Sequence, residues 1–463
     1  MGCAAAADKL ADMSALDAEL PARSQPTAPA TEADRVDGRA WLLLAALFLA
    51  YICSATDRAI ISLIVEPIKA SMQLSDTQIG LLQGVAFLLV YSLAGIPAGM
   101  LADRVPRLRL AAGAIVAWSF MTSLCGLARS FSSLFAARAG VGIGESVLSP
   151  VALSLIADRF PKRRQGLAIG IYVCGSVVGS ALAIGFGGLL YAELLQRGPT
   201  DVPYIGVLEP WQQTFVLLGL PGLVIAALLL VFREPPRQML APHQTVGARQ
   251  FYRRNARLIV YHHLGNGLSN VLAAAITAWA ASCLIRTYHA DIKAVSISIG
   301  TALLVGGLCG MLGGGWLSDK LSHLGAHMRL WVCAGASMIG AAAAMLLPLA
   351  PGITSAAVVL GVVILSGAVP FSVANAALQV LAPANIRGTV SAVYYLSISV
   401  VGTLGPSAVA FITDHGFEDP SRLNMSLTLV MAVTSLLAAL MYSLAVAPYK
   451  RALQVGGPSL VKI

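Results

Sequence analysis

The sequence predicts an all-α integral membrane protein: twelve transmembrane helices arranged as two six-helix bundles that repeat one another. Three observations carry that expectation. Of 463 residues, 57% are hydrophobic and only 11% are charged, against roughly 25% charged in soluble domains. The apolar residues gather into twelve runs, each long enough to cross a hydrocarbon core of about 30 Å. A charged motif then returns at the same place in each half of the chain.

Residues 1–38 are rich in Ala, Asp, Pro and Thr and hold no long apolar run, so a disordered cytoplasmic tail is expected there. Met1-Gly2-Cys3 falls short of a myristoylation signal, because Ala6 stands where Ser or Thr is needed. The first bundle, 39–232, contains apolar runs at 41–65, 77–101, 110–128, 132–157, 166–192 and 213–232. A polar stretch, 233–257, reads as a cytoplasmic central loop. The second bundle, 258–450, contains runs at 258–286, 295–317, 330–350, 353–382, 388–414 and 423–447, and 451–463 forms a cytoplasmic tail.

Lysine and arginine set the orientation. With the N-terminus placed inside, 23 of the 31 basic residues fall on the cytoplasmic side and 6 on the other, while Arg58 and Arg138 lie within the membrane. That bias puts both termini inside, in the cytoplasmic (inner) membrane of a bacterium. The net charge of +9 is thereby accounted for by topology. The basic residues alternate with apolar runs and form no single patch, so nucleic acid is not an expected partner.

The halves repeat in detail. Gly99-Met-Leu-Ala-Asp103-Arg104 follows the second run, and Gly315-Trp-Leu-Ser-Asp319-Lys320 follows the eighth. Arg164, Tyr172 and Gly179 return as Arg387, Tyr395 and Gly402, each 223 positions later. Chance likeness among apolar helices does not explain a returning charged motif. Duplicated halves of this size point to two bundles around a central site, a transporter architecture.

Four charges lie where charge is expensive. Asp57 and Arg58 sit about 24 Å into the first run, and Arg138 and Glu145 sit in the fourth. Seven residues apart, the latter two share a helical face. Ions inside hydrocarbon cost at least about 2.5–3.5 kcal/mol each, so they normally face a partner, a cavity or a substrate. Asp57 and Arg138 reach similar depth and can pair, with Glu145 deeper. A site whose charge changes with protonation is the functional reading, and a structural ion-pair network is the bland one. In the second half Asn266, Asn270, Asn375, Gln379, Tyr394 and Tyr395 are candidates to line a cavity, with helix packing the alternative for each. His262 and His263 fall where the seventh run begins, which suggests an interfacial, solvated position.

Gly99-x-x-x-Asp103-Arg104-x-Pro106-Arg107 resembles the loop signature of the major facilitator superfamily, with Pro106 and Leu108 departing from its glycine and second basic residue. In that superfamily the motif is thought to latch the two halves on the cytoplasmic side, which the resemblance carries to Gly99, Asp103, Arg104 and Arg107 and, by the echo, to Asp319 and Lys320. Arg138-x-x-x-Gly142-x-Gly144 resembles the superfamily's fourth-helix motif, whose arginine is associated with proton coupling. The antiporter motif of the fifth helix is half present: Gly175 and Gly179 are there, but Ser180 replaces its proline.

Asp57-Arg58, the Gln83-Gly84-Val85-Ala86-Phe87 segment, the glycine-rich stretch from Arg138 to Glu145, and Trp279 to Arg286 together resemble the Spinster-like family of the same superfamily. The resemblance spans most of 41–450. It implies a major facilitator fold and secondary transport of amphipathic or lipid-like solutes, with Asp57 and Glu145 proton-linked or substrate-facing. A symporter of an organic anion such as a sugar acid is the runner-up, in which Arg58 and Arg138 would serve the anion. The expected partners are a small-molecule substrate, protons and the bilayer, around a monomer.

Other classes fare worse. No G-x-x-x-x-G-K-[ST] loop exists for ATP-driven pumping. The seven cysteines show no C-x-x-C and no metal-like spacing, so neither disulfide, metal nor cofactor is expected. An enzyme would want a catalytic cluster at a membrane face, and a sensor or scaffold would want a folded soluble domain; the sequence supplies neither.

Overall fold

The computed structural model describes residues 37–235, 245–383 and 386–455. The expected tail through residue 36, central-loop residues 236–244 and tail residues 456–463 lie outside the described residues. Among those described, twelve helices are long and apolar enough to cross a membrane. In the first half they are Gly38–Ser62, Asp76–Ala102, Arg107–Leu127, Phe131–Arg159, Arg164–Arg197 and Pro210–Val231. In the second half they are Ala256–Tyr288, Ile292–Leu324, Met328–Leu349, Ile353–Leu381, Thr389–Phe417 and Pro420–Gln454. They are called spans 1 to 12 below.

Local chemistry explains where the spans start and bend. Asp37 caps span 1 by accepting from the Arg39 amide. Ser75 and Gln78 form a reciprocal capping box at span 2, and Asp291 accepts from the Ala294 amide at span 8. Span 4 runs as Phe131–Glu145, breaks at Ser146 and Val147, and resumes as Leu148–Arg159. Pro150 is the reason: it lacks an N–H, and its ring crowds the carbonyl four residues back, at Ser146. Span 11 breaks the same way after Gly402, four residues before Pro406. Glu145 therefore ends a helical segment inside the membrane. Among the described residues the central loop holds a helix, Thr245–Arg254, within the stretch expected to be a loop, and a two-stranded hairpin, Thr200–Val202 with Gly206–Leu208, joins spans 5 and 6.

The halves meet along two principal seams. Span 5 lies along span 8, and span 2 along span 11. Small residues let these backbones approach, as is usual between helices in lipid. A Cβ on Gly84 would fall 2.7 Å from the Thr403 carbonyl oxygen, and one on Gly188 would fall 1.8 Å from Ser296 Oγ. The main core runs through both halves, with Trp118, Trp279, Phe87 and Phe215 fully buried within it. Leu42, Phe186, Leu312 and Leu349 instead project outward, each more than 60% exposed, as a bilayer-facing surface requires.

The bonds that cross between halves collect at one end, where span 2 begins and span 7 finishes. Arg286 of span 7 reaches Asp76 through two bonds of 2.7 Å and Glu66 through one of 2.9 Å. Lys69 also pairs with Asp76. Asp414 of span 11 accepts from the amide and hydroxyl of Thr77, at 2.6 and 2.7 Å. The molecule is thus tied shut at this end.

Candidate functional site

The break in span 4 and the end of span 1 bring four charges together inside the first half. Asp57, Arg138 and Glu145 are each about 1% exposed. The Arg58 side chain retains 20% exposure, which makes it the member of the group open to a solute. Glu145 Oε2 accepts from Ser54 Oγ at 2.7 Å and faces Arg58 Nε at 3.6 Å. The Arg58 guanidinium also lies 5.5 Å and 5.7 Å from the ring centroids of Tyr51 and Tyr91, a cation–π setting.

Asp57 and Arg138 meet differently from the expected side-chain pair. Arg138 Nη1 donates to the backbone carbonyl of Asp57 at 3.2 Å, while its guanidinium packs over Phe87 at 4.8 Å. The Asp57 carboxylate takes its bond through Oδ2 from Thr122, at 3.2 Å. Asp57 Oδ1, Glu145 Oε1 and Arg138 Nε are buried with no hydrogen-bond partner among the described residues. Buried polar atoms left open in this way are expensive, and ionisable groups inside a membrane-spanning bundle normally face a partner, a cavity or a solute. Two carboxylates and two guanidiniums balance in number, and adding a proton to Glu145 would release Arg58 from its counter-ion. Ser54 and Thr122 had no role in the sequence reading. Ser54 lies four and three residues before Arg58 and Asp57, on the same helical face, and that spacing was the available signal.

The second half contributes polar, uncharged groups. A cavity of about 230 Å³ opens between spans 5, 7, 8 and 10, lined by Asn266, Asn270, Ser176 and Ser180 among apolar neighbours such as Leu272 and Phe371. Asn270 also donates to the Ile398 carbonyl at 3.0 Å, bracing span 11. Asn266 bonds the Tyr394 hydroxyl at 2.6 Å and accepts from Tyr442 at 3.0 Å. Tyr394 is fully buried, so it packs behind the cavity wall, whereas Tyr395 is 37% exposed and accepts from Asn375 at 3.0 Å. Gln379 bonds Ser391 and Asn375. His262 and His263 are corrected outright. Both are buried, at 1% and 8% exposure, packed beside Tyr394, and His262 Nε2 lies 2.8 Å from the Ala374 carbonyl. The seventh helix starts at Ala256, early enough to draw both histidines inside.

The loop-motif residues lie at the end opposite the Arg286 cluster. Arg107 is held in its own half, by Asp158 at 2.5 Å and Glu234 at 2.9 Å. Gly99 has open space where a Cβ would stand. Asp103 and Arg104 are exposed, and Arg104 borders a cavity of about 640 Å³ with Arg109 and Arg233. Asp319 pairs with Arg329 at 3.7 Å within the second half, and Lys320 sits over Trp316 at 4.9 Å. Outside the membrane, burial would raise the Glu234 carboxyl, but the Leu108 amide and the Arg107 side chain and amide hold it below the usual carboxylate range. No cluster of three or more metal-ligating side chains occurs among the described residues.

Twelve apolar helices in two like halves, with ions in the interior and a cavity at the seam, make this an integral membrane transporter. The family description of the Major Facilitator Superfamily matches residues 47–406, and the chain belongs to that superfamily. It is similar to the crystal structure of a bacterial homolog to the human lysosomal transporter Spinster, in an inward-facing and unoccupied conformation. The TM-score is 0.73 at 25% identity, over 92% of this chain and 100% of that one. An MFS-type efflux pump of Mycolicibacterium smegmatis is 28% identical over 420 residues, 89% of this chain and 94% of the pump. A probable L-galactonate transporter of Escherichia coli is 25% identical over 413 residues, 84% of this chain and 86% of the relative. The Spinster-like resemblance read from the charged motifs agrees with the first of these.

Proposed function

We propose that this protein is a secondary active transporter that moves a small amphipathic or lipid-like organic solute by alternating access, linked to protons. Asp57, Arg58, Arg138 and Glu145 carry the coupling. The observation behind this reading is the Glu145 carboxylate, fully buried, bonded to Ser54 and facing a partly open Arg58. A proton on Glu145 frees Arg58 to take an anionic solute group, so each event favours the other, which is what coupling requires. The cavity between spans 5, 7, 8 and 10 is apolar with a few amides and hydroxyls, a lining that suits an amphiphile.

In this reading both termini are cytoplasmic, in a bacterial inner membrane, and the Arg286 end faces outward. The closed Arg286–Asp76 end then supports an inward-facing form, and the loop-motif residues Asp103, Arg104, Arg107, Asp319 and Lys320 would latch the halves when that side closes. A monomer suffices, since each half completes the site with the other.

Transport of an organic anion such as a sugar acid is the second reading, favoured by the likeness to the probable L-galactonate transporter and by the two guanidiniums. A thermal-shift screen separates them, because a ligand that binds the folded state raises the melting temperature by mass action. The purified protein is challenged with lysolipids and with sugar acids at acidic and alkaline pH. Stabilisation by sugar acids alone sinks the amphiphile reading.

A further inference from the structure

The helix Thr245–Arg254 divides its surface between two environments. One face is spent on the protein: Ala248 and Phe251 are buried against Leu378, Ala382, Ile386 and Val390 of spans 10 and 11 and the turn between them. Tyr252 fastens the helix further, its hydroxyl donating to the Val390 carbonyl at 3.4 Å. The remaining face is basic. Arg249, Arg253 and Arg254 are exposed, and Arg257 continues the series on the next helix. No Asp or Glu occurs anywhere between Glu234 and Asp291, so the local chain offers these arginines no counter-ion. Only Asn255 separates this helix from span 7, which places the guanidiniums at the membrane surface.

We infer that the Arg249–Arg253–Arg254 face docks on the headgroups of anionic phospholipids in the surrounding leaflet. Charge complementarity selects that occupant, and proximity to the bilayer supplies it at high local concentration. Each basic residue at an anionic surface strengthens association roughly fivefold. Since the apolar face is already buried on spans 10 and 11, the helix does not insert. It bears on the start of span 11, whose far end carries the Asp414–Thr77 bond. Anionic lipid at this face is therefore placed to bias the position of that span.

The test is native mass spectrometry of the full-length protein released from mixed micelles, with phosphatidylglycerol and phosphatidylcholine competing for retention. The wild type is expected to retain phosphatidylglycerol preferentially, and added salt should erode the preference. The Arg249→Gln/Arg253→Gln/Arg254→Gln variant should lose the preference by roughly a hundredfold. The matching triple lysine variant should keep most of it, which separates lost charge from lost folding. Unchanged phosphatidylglycerol preference in the glutamine variant overturns the inference. So does full competition by inorganic phosphate, which would make the face a site for free anions rather than for a lipid surface.

Discussion

Arg286 holds both carboxylate oxygens of Asp76, each at 2.7 Å, across the seam between the two halves. The two residues are 210 positions apart, the Asp76 side chain is fully buried, and the Arg286 side chain is 10% exposed. A planar guanidinium matched to a carboxylate is directional as well as strong. Its rupture is a condition for opening this end.

Arg286→Gln should therefore shift the population toward forms with that end open. Removing one member of a buried pair costs about 3–5 kcal/mol when the other charge is left unpaired. Here Lys69 still pairs with Asp76, so the cost is smaller, and it falls on the closed form alone, because an open form gives Asp76 to water. Spin labels at the exposed positions Ser71 and His415 should report a longer distance distribution in the variant. An unchanged distribution counts against the latch.

At the interior charges, Asp57→Asn and Glu145→Gln should remove the pH dependence of flux in proteoliposomes while leaving exchange down a solute gradient measurable. Ser54→Ala should be milder: it removes one hydrogen bond to a charged group, of order 1.5–3 kcal/mol. If both acid variants keep the wild-type pH profile, protons are not carried at these residues.

Close packing makes a sharper claim at the seam of spans 5 and 8. A Cβ on Gly188 would meet Ser296 Oγ at 1.8 Å and Ser296 Cβ at 2.8 Å, so Gly188→Ala should destabilise by about 1–3 kcal/mol through overpacking. Adding Ser296→Gly removes both Ser296 atoms and leaves Leu63 Cδ2, at 2.6 Å, so it should restore part of the loss. Thermal melts in detergent measure both.

Glu234 should supply a pH-dependent increment of stability outside the membrane. Its folded-state pKa is depressed, since the Leu108 amide and Arg107 outweigh the opposing effect of burial. The contribution is therefore present above the unfolded carboxylate value of about 4.3 and is lost as pH falls through the lower folded value. Because the Glu234 side chain is 31% exposed, solvent screening keeps the increment small. Glu234→Gln should melt below the parent at neutral pH and converge with it in acid.

The twelve spans, their division into like halves and the placing of Asp57, Arg58, Arg138 and Glu145 within spans 1 and 4 were legible in the sequence by itself. These follow from local rules: apolar run length, 1.5 Å of rise per helical residue, and the expense of charge in hydrocarbon. Only the tertiary structure decided how those charges meet. Arg138 takes the Asp57 carbonyl, Glu145 takes Ser54 and Arg58, and His262 turns inward to Ala374. It likewise decided that Asp76 and Arg286 share one latch, though each sits at the end of its own helix. Partners on helices far apart in the chain are chosen by packing angle and close approach between whole helices, which no local spacing encodes.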